Sequence, residues 1–275
     1  MKTYYIEKVD KPSFFRKTKI KEDNYKISLN LEKEKNIKKV TNNLIKNEIT
    51  NVVLSKELQK NQNLINSLNA NNIKIFNGRW LEKYLSIEIL DYVINQKEIK
   101  REETELAITT NEITDLLIET IKILSKQYKR LTIVTNHINK LKKIEKEIYD
   151  TNGILIVISN NQKKSLAKSQ IILNMDFNKE TLNNYQIKED AVIINLEGNM
   201  KIESKRFNGI NINDYEIETG REDIIWRENI KSFRTKDLFE ASLYMKDTFF
   251  NIRKRIKKSN IMIKELYGIN GVIRL

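Results

Sequence analysis

The chain contains no cysteine, which excludes disulfides, thiolate metal sites and Cys nucleophiles. It has a single histidine, so a soft or borderline metal site is not expected, and no DxD-like cluster argues for an Asp/Glu magnesium site. One proline and seven glycines in 275 residues leave little material for Pro-rich linkers or Gly-rich phosphate loops. No apolar run approaches the ~18–20 residues that span a bilayer. The first residues, MKTYYIEKVDKPSFF, offer neither an uninterrupted apolar stretch nor a small-residue cleavage site. A transmembrane segment and a signal peptide are therefore not expected, and the cytoplasm is the expected compartment.

What is present is ordinary for a globular protein: 40% hydrophobic and 32% charged residues, in a chain long enough for two cores. The formal charge of +13 is carried mostly by Lys, in a chain also crowded with Asn and Ile. Lys and Arg displace counterions from phosphates, so a nucleic-acid partner is one reading of the charge. The other is a solvated, Lys-rich surface of the kind that an AT-rich genome produces. Arg, the residue suited to bidentate phosphate recognition, is not over-used.

Apolar patterning predicts an α/β fold: two βα-repeat, Rossmann-like halves with mostly parallel sheets, and a C-terminal helix. Residues 1–24, with Pro12 and the Phe14–Phe15 pair, read as an arm. Strands are expected at Tyr25–Asn30, Asn51–Ser55 and Ile73–Phe76, and helices at Asn36–Glu48, Asn61–Ala70 and from Trp80 to Asn95. The charged stretch QKEIKREET, 96–104, reads as a boundary between an N-terminal domain (1–96) and a second one (105–217). In the second, Leu106–Thr109 is a strand, and Thr109–Glu112 fits a capping box for a helix over Asn111–Gln127. A last strand is expected at Gly209–Ile217, then a helical extension (218–275) with a helix within Thr235–Ser259.

The second half is organised around residues 131–177. Three β-branched runs, Leu131–Val134, Ile154–Ile158 and Gln170–Asn174, alternate with Lys-rich crossovers, as strands buried on both faces do. With Ala191–Leu196 they are expected to be adjacent, parallel and buried. Within it, ILIVISNNQKKSLAKSQIILNMDF resembles the NAD(P)-binding Rossmann domain of shikimate-dehydrogenase-like and glutamyl-tRNA-reductase-like proteins. The chain as a whole resembles a bacterial protein. In that family a strand ends in Asn followed by basic residues that meet the adenosine 2′-phosphate; here Asn160, Asn161, Lys163 and Lys164 stand at that position. The resemblance implies a Rossmann-like fold over residues 131–196. The turn Thr135–Lys140, where the dinucleotide glycines are expected, has none, so conventional NAD(P) binding is not expected.

Candidate ligand-binding residues are Asn136, His137, Asn160, Asn161, Lys163 and Lys164. Small polar side chains and free N–H groups at a helix start hold anions, and the two Lys add charge. A small anionic ligand is the expected guest, against a reading in which these are solvated turns. His137 is either a general base or anion contact, or the neighbour of a helix-capping Asn136. Asp176 is a second candidate acid, or a turn residue. Gly78-Arg79-Trp80 offers an Arg beside an indole, with Trp80 as core the alternative. No Ser, Cys or carboxylate partner stands near His137, so no catalytic residue is assigned. At the C-terminus Phe249, Ile252 and Ile256 recur at helical spacing under five cations. That helix is suited to docking on the body, or to lying on nucleic acid or a membrane surface. Three functions follow: a non-catalytic or regulatory protein on a degenerate Rossmann-like scaffold; an NAD(P)- or nucleotide-dependent enzyme with an atypical turn; and a basic, nucleic-acid-associated protein.

Overall fold

The computed structural model describes residues 3–8, 20–21, 24–27, 29–203, 206–220, 230–243 and 247–275. The chain folds into two units, each discontinuous in sequence. The first is Met1–Trp80 with Thr219–Asp247, the second Leu81–Glu218 with Thr248–Leu275. The stretch 96–104 lies inside the second unit rather than between domains, and the C-terminal residues are shared between the two. The charge of that stretch marks a solvated turn: Arg101 pairs with Asp91 (2.9 Å) and Lys129 with Glu102 (3.1 Å).

The first unit contains strands β1 (Tyr4–Lys8), β2 (Ile20–Lys21) and β3 (Asn24–Ile27), then helix α1 (Glu34–Lys46) and β4 (Asn51–Leu54). Helix α2 (Gln62–Ala70) and β5 (Lys74–Phe76) follow, and α3 (Arg79–Tyr84) leads out of the unit. Its sheet runs β2-β3-β1-β4-β5. β1 is parallel to β3 and β4, β4 to β5, and among the described residues only the β2–β3 pair is antiparallel. The helices form where expected: α1 buries Ile37, Val40, Thr41 and Leu44 at one-face spacing, and Asn61 caps α2 through the Leu64 N–H (2.9 Å). The central position of β1 corrects the reading of residues 1–24 as an arm. Tyr4–Lys8 shows only one fully buried apolar residue, Ile6, so its pattern was too weak to announce a central strand. Pro12, Phe14 and Phe15 lie outside the described residues.

The second unit takes in the end of α3 from Leu81 and then α4 (Ser86–Gln96), which is separate from α3, so the single long helix expected from Trp80 is two. Then come β6 (Glu105–Thr109), α5 (Asp115–Ser125), β7 (Arg130–Val134), α6 (Ile138–Asn152), β8 (Val157–Ser159) and β9 (Ile171–Asn174). Helix α7 (Lys179–Asn183), β10 (Val192–Asn195) and β11 (Ile210–Ile212) complete the sheet, and β12 (Asp214–Thr219) leaves it. Helix α8 (Thr235–Ser242) belongs to the first unit. Helix α9 (Phe249–Lys258), β13 (Ile261–Gly268) and β14 (Gly271–Ile273) return to the second.

Six strands form one parallel sheet in the order β11-β10-β9-β6-β7-β8. Counted from β6 as the first strand, this is the order 6-5-4-1-2-3, the doubly wound Rossmann arrangement. Two expectations change with it. β6 sits between the β7–β8 pair and the β9–β10 pair, so the four apolar runs are parallel but not all adjacent. And the first βα turn of the fold is the one after β6, not Thr135–Lys140 after β7. β8 is a short edge strand with Val157 exposed, as is Leu155 just before it, so the apolarity of this run did not mean burial. The expected strand Gly209–Ile217 breaks at Asn213 into β11 and β12, which join different sheets; β12, β13 and β14 form a three-stranded sheet. The expected helix within Thr235–Ser259 is two helices, α8 and α9. The closing hairpin β13–β14, with Gly268 opposite Gly271, was not anticipated in a tail read as helical. Among the described residues no helix is long and apolar enough to cross a membrane.

Tyr128, just after α5, is fully buried, and its hydroxyl has no hydrogen-bond partner among the described residues. Burial pushes the phenol up from 10 to about 12, Arg101 opposing the shift and Asp91 adding to it. A folded-state value above the unfolded one means that the phenol favours folding less as pH rises from 10 to 12, where the unfolded chain has lost its proton first. Tyr128→Phe removes an unsatisfied buried group, so it is expected to raise stability by about 1 kcal/mol at neutral pH. It is also expected to flatten the alkaline fall in stability. Urea unfolding at neutral pH and across pH 10–12 measures both effects; a Tyr128→Phe protein less stable than wild type contradicts them.

Candidate functional site

In doubly wound sheets the ligand crevice opens at the carboxyl ends of the strands, where the strand order reverses. In the second unit that point lies between β6 and β9. Thr109 ends β6, and Thr110, Asn111 and Glu112 lead away from it; Asn174 ends β9, followed by Met175, Asp176 and Phe177. The first βα turn of such a fold presents backbone N–H groups to a pyrophosphate. Here those donors already have an acceptor. Asp176 Oδ1 accepts from the Asn111 N–H (2.7 Å), while its Oδ2 accepts from the Glu112 N–H (2.7 Å) and the Thr110 hydroxyl (2.8 Å). The expected capping box is not formed: α5 starts at Asp115 and is capped by Thr114, whose hydroxyl accepts from the Leu117 N–H (3.2 Å). Asp176, one of the two roles foreseen for it, is a turn-capping residue.

Below the turn lies a chain of buried amides. The Thr109 hydroxyl donates to Asn174 Oδ1 (2.6 Å), Asn174 Nδ2 to Asn195 Oδ1 (2.8 Å), and Asn195 Nδ2 to Asn213 Oδ1 (2.9 Å). Asn174 also holds both backbone groups of Phe177, accepting from its N–H (3.0 Å) and donating to its carbonyl (2.9 Å). Asn213 Oδ1 accepts a further bond from the Met200 N–H (3.0 Å). Thr109, Asn174 and Asn195 are brought level by the strand register, and Asn213 follows the last residue of β11. Sequence reasoning overlooked this row. Its signal was the recurring strand ending: Ile172-Leu173-Asn174, Ile193-Ile194-Asn195, Asn211-Ile212-Asn213.

The six residues singled out from the sequence fall on two neighbouring loops at the same edge. The Thr135 N–H donates to the Ser159 carbonyl (3.0 Å), so the loops after β7 and β8 run side by side. Asn136, His137, Asn160, Asn161, Lys163 and Lys164 are all exposed. The position before α6 is His137 rather than Asn136, and its side chain makes no capping bond; the Asn136 N–H donates instead to Asn111 Oδ1 (3.1 Å). The His137 imidazole has no hydrogen-bonded side chain among the described residues. Asn161 Oδ1 accepts from the N–H groups of Lys163 (3.0 Å) and Lys164 (3.1 Å), so these are not free to hold an anion. Neither Lys side chain is ion-paired among the described residues. The third loop, Asn174–Phe177, lies on the far side of β6, joined to the first through Asp176 and Asn111.

No family model matches the chain, and no curated protein does. Among solved structures it is similar to an L-tryptophan dehydrogenase from Nostoc punctiforme at 9% identity and a TM-score of 0.30, over 62% of this chain and 50% of that one. The chain thus spans half the length of that enzyme. It is also similar to an anabolic ornithine carbamoyltransferase from Campylobacter jejuni (9%, TM-score 0.26, 70% of this chain and 74% of that one). A shikimate 5-dehydrogenase-like protein is a third (10%, TM-score 0.28, 69% and 73%).

The first unit uses a related device. Glu240 of α8, buried, accepts from the N–H groups of Asn77 (2.9 Å) and Gly78 (2.8 Å) in the turn after β5. Gly78 has φ +80°, and a Cβ there would come within 2.6 Å of the Lys236 side chain. The sequence reading of Gly78-Arg79-Trp80 saw the turn but not the carboxylate that closes it, which is 162 residues away.

Proposed function

We propose that this chain is a non-catalytic, regulatory protein on a Rossmann-like scaffold whose dinucleotide crevice is closed from within. The observation that carries the reading is Asp176, a carboxylate placed on the N–H groups that a pyrophosphate would need. A second anion brought to that turn meets a like charge and finds the Asn111 and Glu112 N–H groups already bonded. The absence of a glycine from the turn supports the same reading, because Asn111 and Glu112 carry side chains where backbone must approach the phosphates. An exposed His137 without a side-chain partner among the described residues gives no acid–base pair. A small anionic ligand is proposed instead for the two adjoining outer loops, which carry Asn136, His137, Asn160, Asn161 and the charges of Lys163 and Lys164, neither of them ion-paired among the described residues.

Thermal-shift titration tests this, since a ligand that binds only the folded state raises the melting temperature. NAD, NADPH and nucleotides are expected to leave wild type unshifted. Asp176→Ala is expected to lower the melting temperature and, unlike wild type, to regain it in millimolar phosphate, which fills the vacated donors. Acidic metabolites that stabilise wild type are expected to lose that effect in Lys163→Ala. Micromolar NADPH binding by wild type, abolished by Lys163→Ala, would establish the nucleotide-dependent enzyme instead.

A further inference from the structure

The cationic helix α9 is untouched by the crevice and its chemistry. Its apolar stripe is spent: Phe249, Ile252 and Ile256 are buried in the second unit, and the Phe249 ring stacks on Tyr84 (6.0 Å). Arg253 also turns inward, to the Glu88 carboxylate and the Tyr84 carbonyl (2.9 Å). A helix whose apolar face is already covered by protein has none left to sink into a bilayer.

The opposite face is organised differently. Phe250, Lys254, Lys257 and Lys258 stand at i, i+4, i+7 and i+8, so they form one column over about 12 Å of helix. All four are exposed, and Phe250 is 67% exposed, the most of any large hydrophobic residue described. The helix FFNIRKRIKK holds five cations and no acid. Lys254, Lys257 and Lys258 have no ion-pair partner among the described residues. On other helices cations are interleaved with acids: Glu34 pairs with Lys38 on α1, and Lys122 with Glu119 and Glu147 between α5 and α6. A Lys-rich composition explains many Lys but not their segregation from acids. The helix dipole favours Lys257 and Lys258 in the last turn, yet it does nothing for Lys254 or for the exposed Phe250 ring in the first, which meets the Phe249 ring edge-on (5.7 Å) and leaves a face to solvent.

We infer that this face of α9 binds single-stranded nucleic acid. Ammonium groups one helical turn apart, about 5–6 Å, track successive phosphates of an extended strand. The Phe250 ring at the end of the column offers a stacking platform for an unpaired base, and every base has a face to stack. A duplex hides those faces, so it would use the cations and leave Phe250 idle.

The test is fluorescence anisotropy of the full chain with a labelled single-stranded oligonucleotide and the matching duplex, over a range of salt. Tighter binding to the single strand is expected. Phe250→Ala is expected to weaken it about tenfold with the salt dependence unchanged. The triple variant Lys254→Gln, Lys257→Gln, Lys258→Gln should reduce the slope of log K against log salt by about 2, from roughly 0.7 per phosphate contact. These side chains are exposed, so unchanged melting temperatures will show that the variants fold. No binding at low salt, binding indifferent to both variants, equal affinity for the duplex, or preference for phosphatidylserine vesicles over the oligonucleotide each overturns the inference.

Discussion

Asn174→Leu is expected to destabilise the protein by on the order of 4 kcal/mol, with a fall in melting temperature of about 10 °C. Leucine has nearly the right shape but no hydrogen-bonding atoms. Its arrival strands the Thr109 hydroxyl, the N–H and carbonyl of Phe177, and Asn195 Oδ1, all of which now depend on Asn174. Each buried group left without a partner costs about 1–3 kcal/mol. Asn174→Asp keeps the shape and both accepted bonds, but turns an oxygen toward two acceptors, the Phe177 carbonyl and Asn195 Oδ1. The introduced carboxyl would hold its proton in the folded state more tightly than in the unfolded one. Its penalty is therefore largest at neutral pH and shrinks as pH falls toward 4. Chemical denaturation of both variants at two pH values measures this; an Asn174→Leu protein within 1 kcal/mol of wild type would show that the amide row is ornamental.

Gly209→Ala is the second large effect, and it should be local. A Cβ at Gly209 would lie 2.1 Å from the Ala191 carbonyl oxygen and 2.9 Å from its nitrogen. Both are backbone atoms tied into the sheet: the Ala191 carbonyl accepts from the Ile210 N–H (3.0 Å), and the next residue, Val192, donates to Gln170 (2.9 Å). Neither can yield by a rotamer change, so β11 must move away from β10. The overpacking is expected to destabilise by about 3 kcal/mol. Hydrogen exchange should show lost protection at Ile210–Ile212 while β6 and β7 stay protected. Uniform loss across the sheet would mean that β11 is not a separable edge.

The sequence made the α/β class, most helices and the parallel strands legible, because two-sided apolarity and one-face helical spacing are local signals. Strand order is not local. Nothing in Leu131–Val134 or Gln170–Asn174 reveals that β6 lies between them, so the glycine-free turn was sought after β7 when the fold's first turn follows β6. The candidate edge was legible, since polar loops after apolar strands mark it, and Asn136, His137 and the Asn160–Lys164 loop do fall there. What closes it was not. Asp176 and Glu240 act on turns 65 and 163 residues away in sequence, and a lone carboxylate carries no mark of its distant partner. β1 stayed hidden because Ile6 alone is fully buried among its five residues.

The amide row at the strand ends also has a direction. Thr109 donates to Asn174, Asn174 to Asn195, and Asn195 to Asn213, with every side-chain oxygen facing the donor on its β6 side. The amide dipoles therefore add along the sheet edge instead of cancelling. Turning over Asn195 alone sets oxygen against oxygen on the Asn213 side and nitrogen against nitrogen on the Asn174 side. Turning over Asn174 alone sets its oxygen against Asn195 Oδ1, and turning over Asn213 alone sets its nitrogen against Asn195 Nδ2. The three asparagines must reverse together or not at all, and reversal would also break the two bonds by which Asn174 grips Phe177. Four strand ends that share no covalent connection at this edge thus behave as one polarised element, fixed in a single orientation.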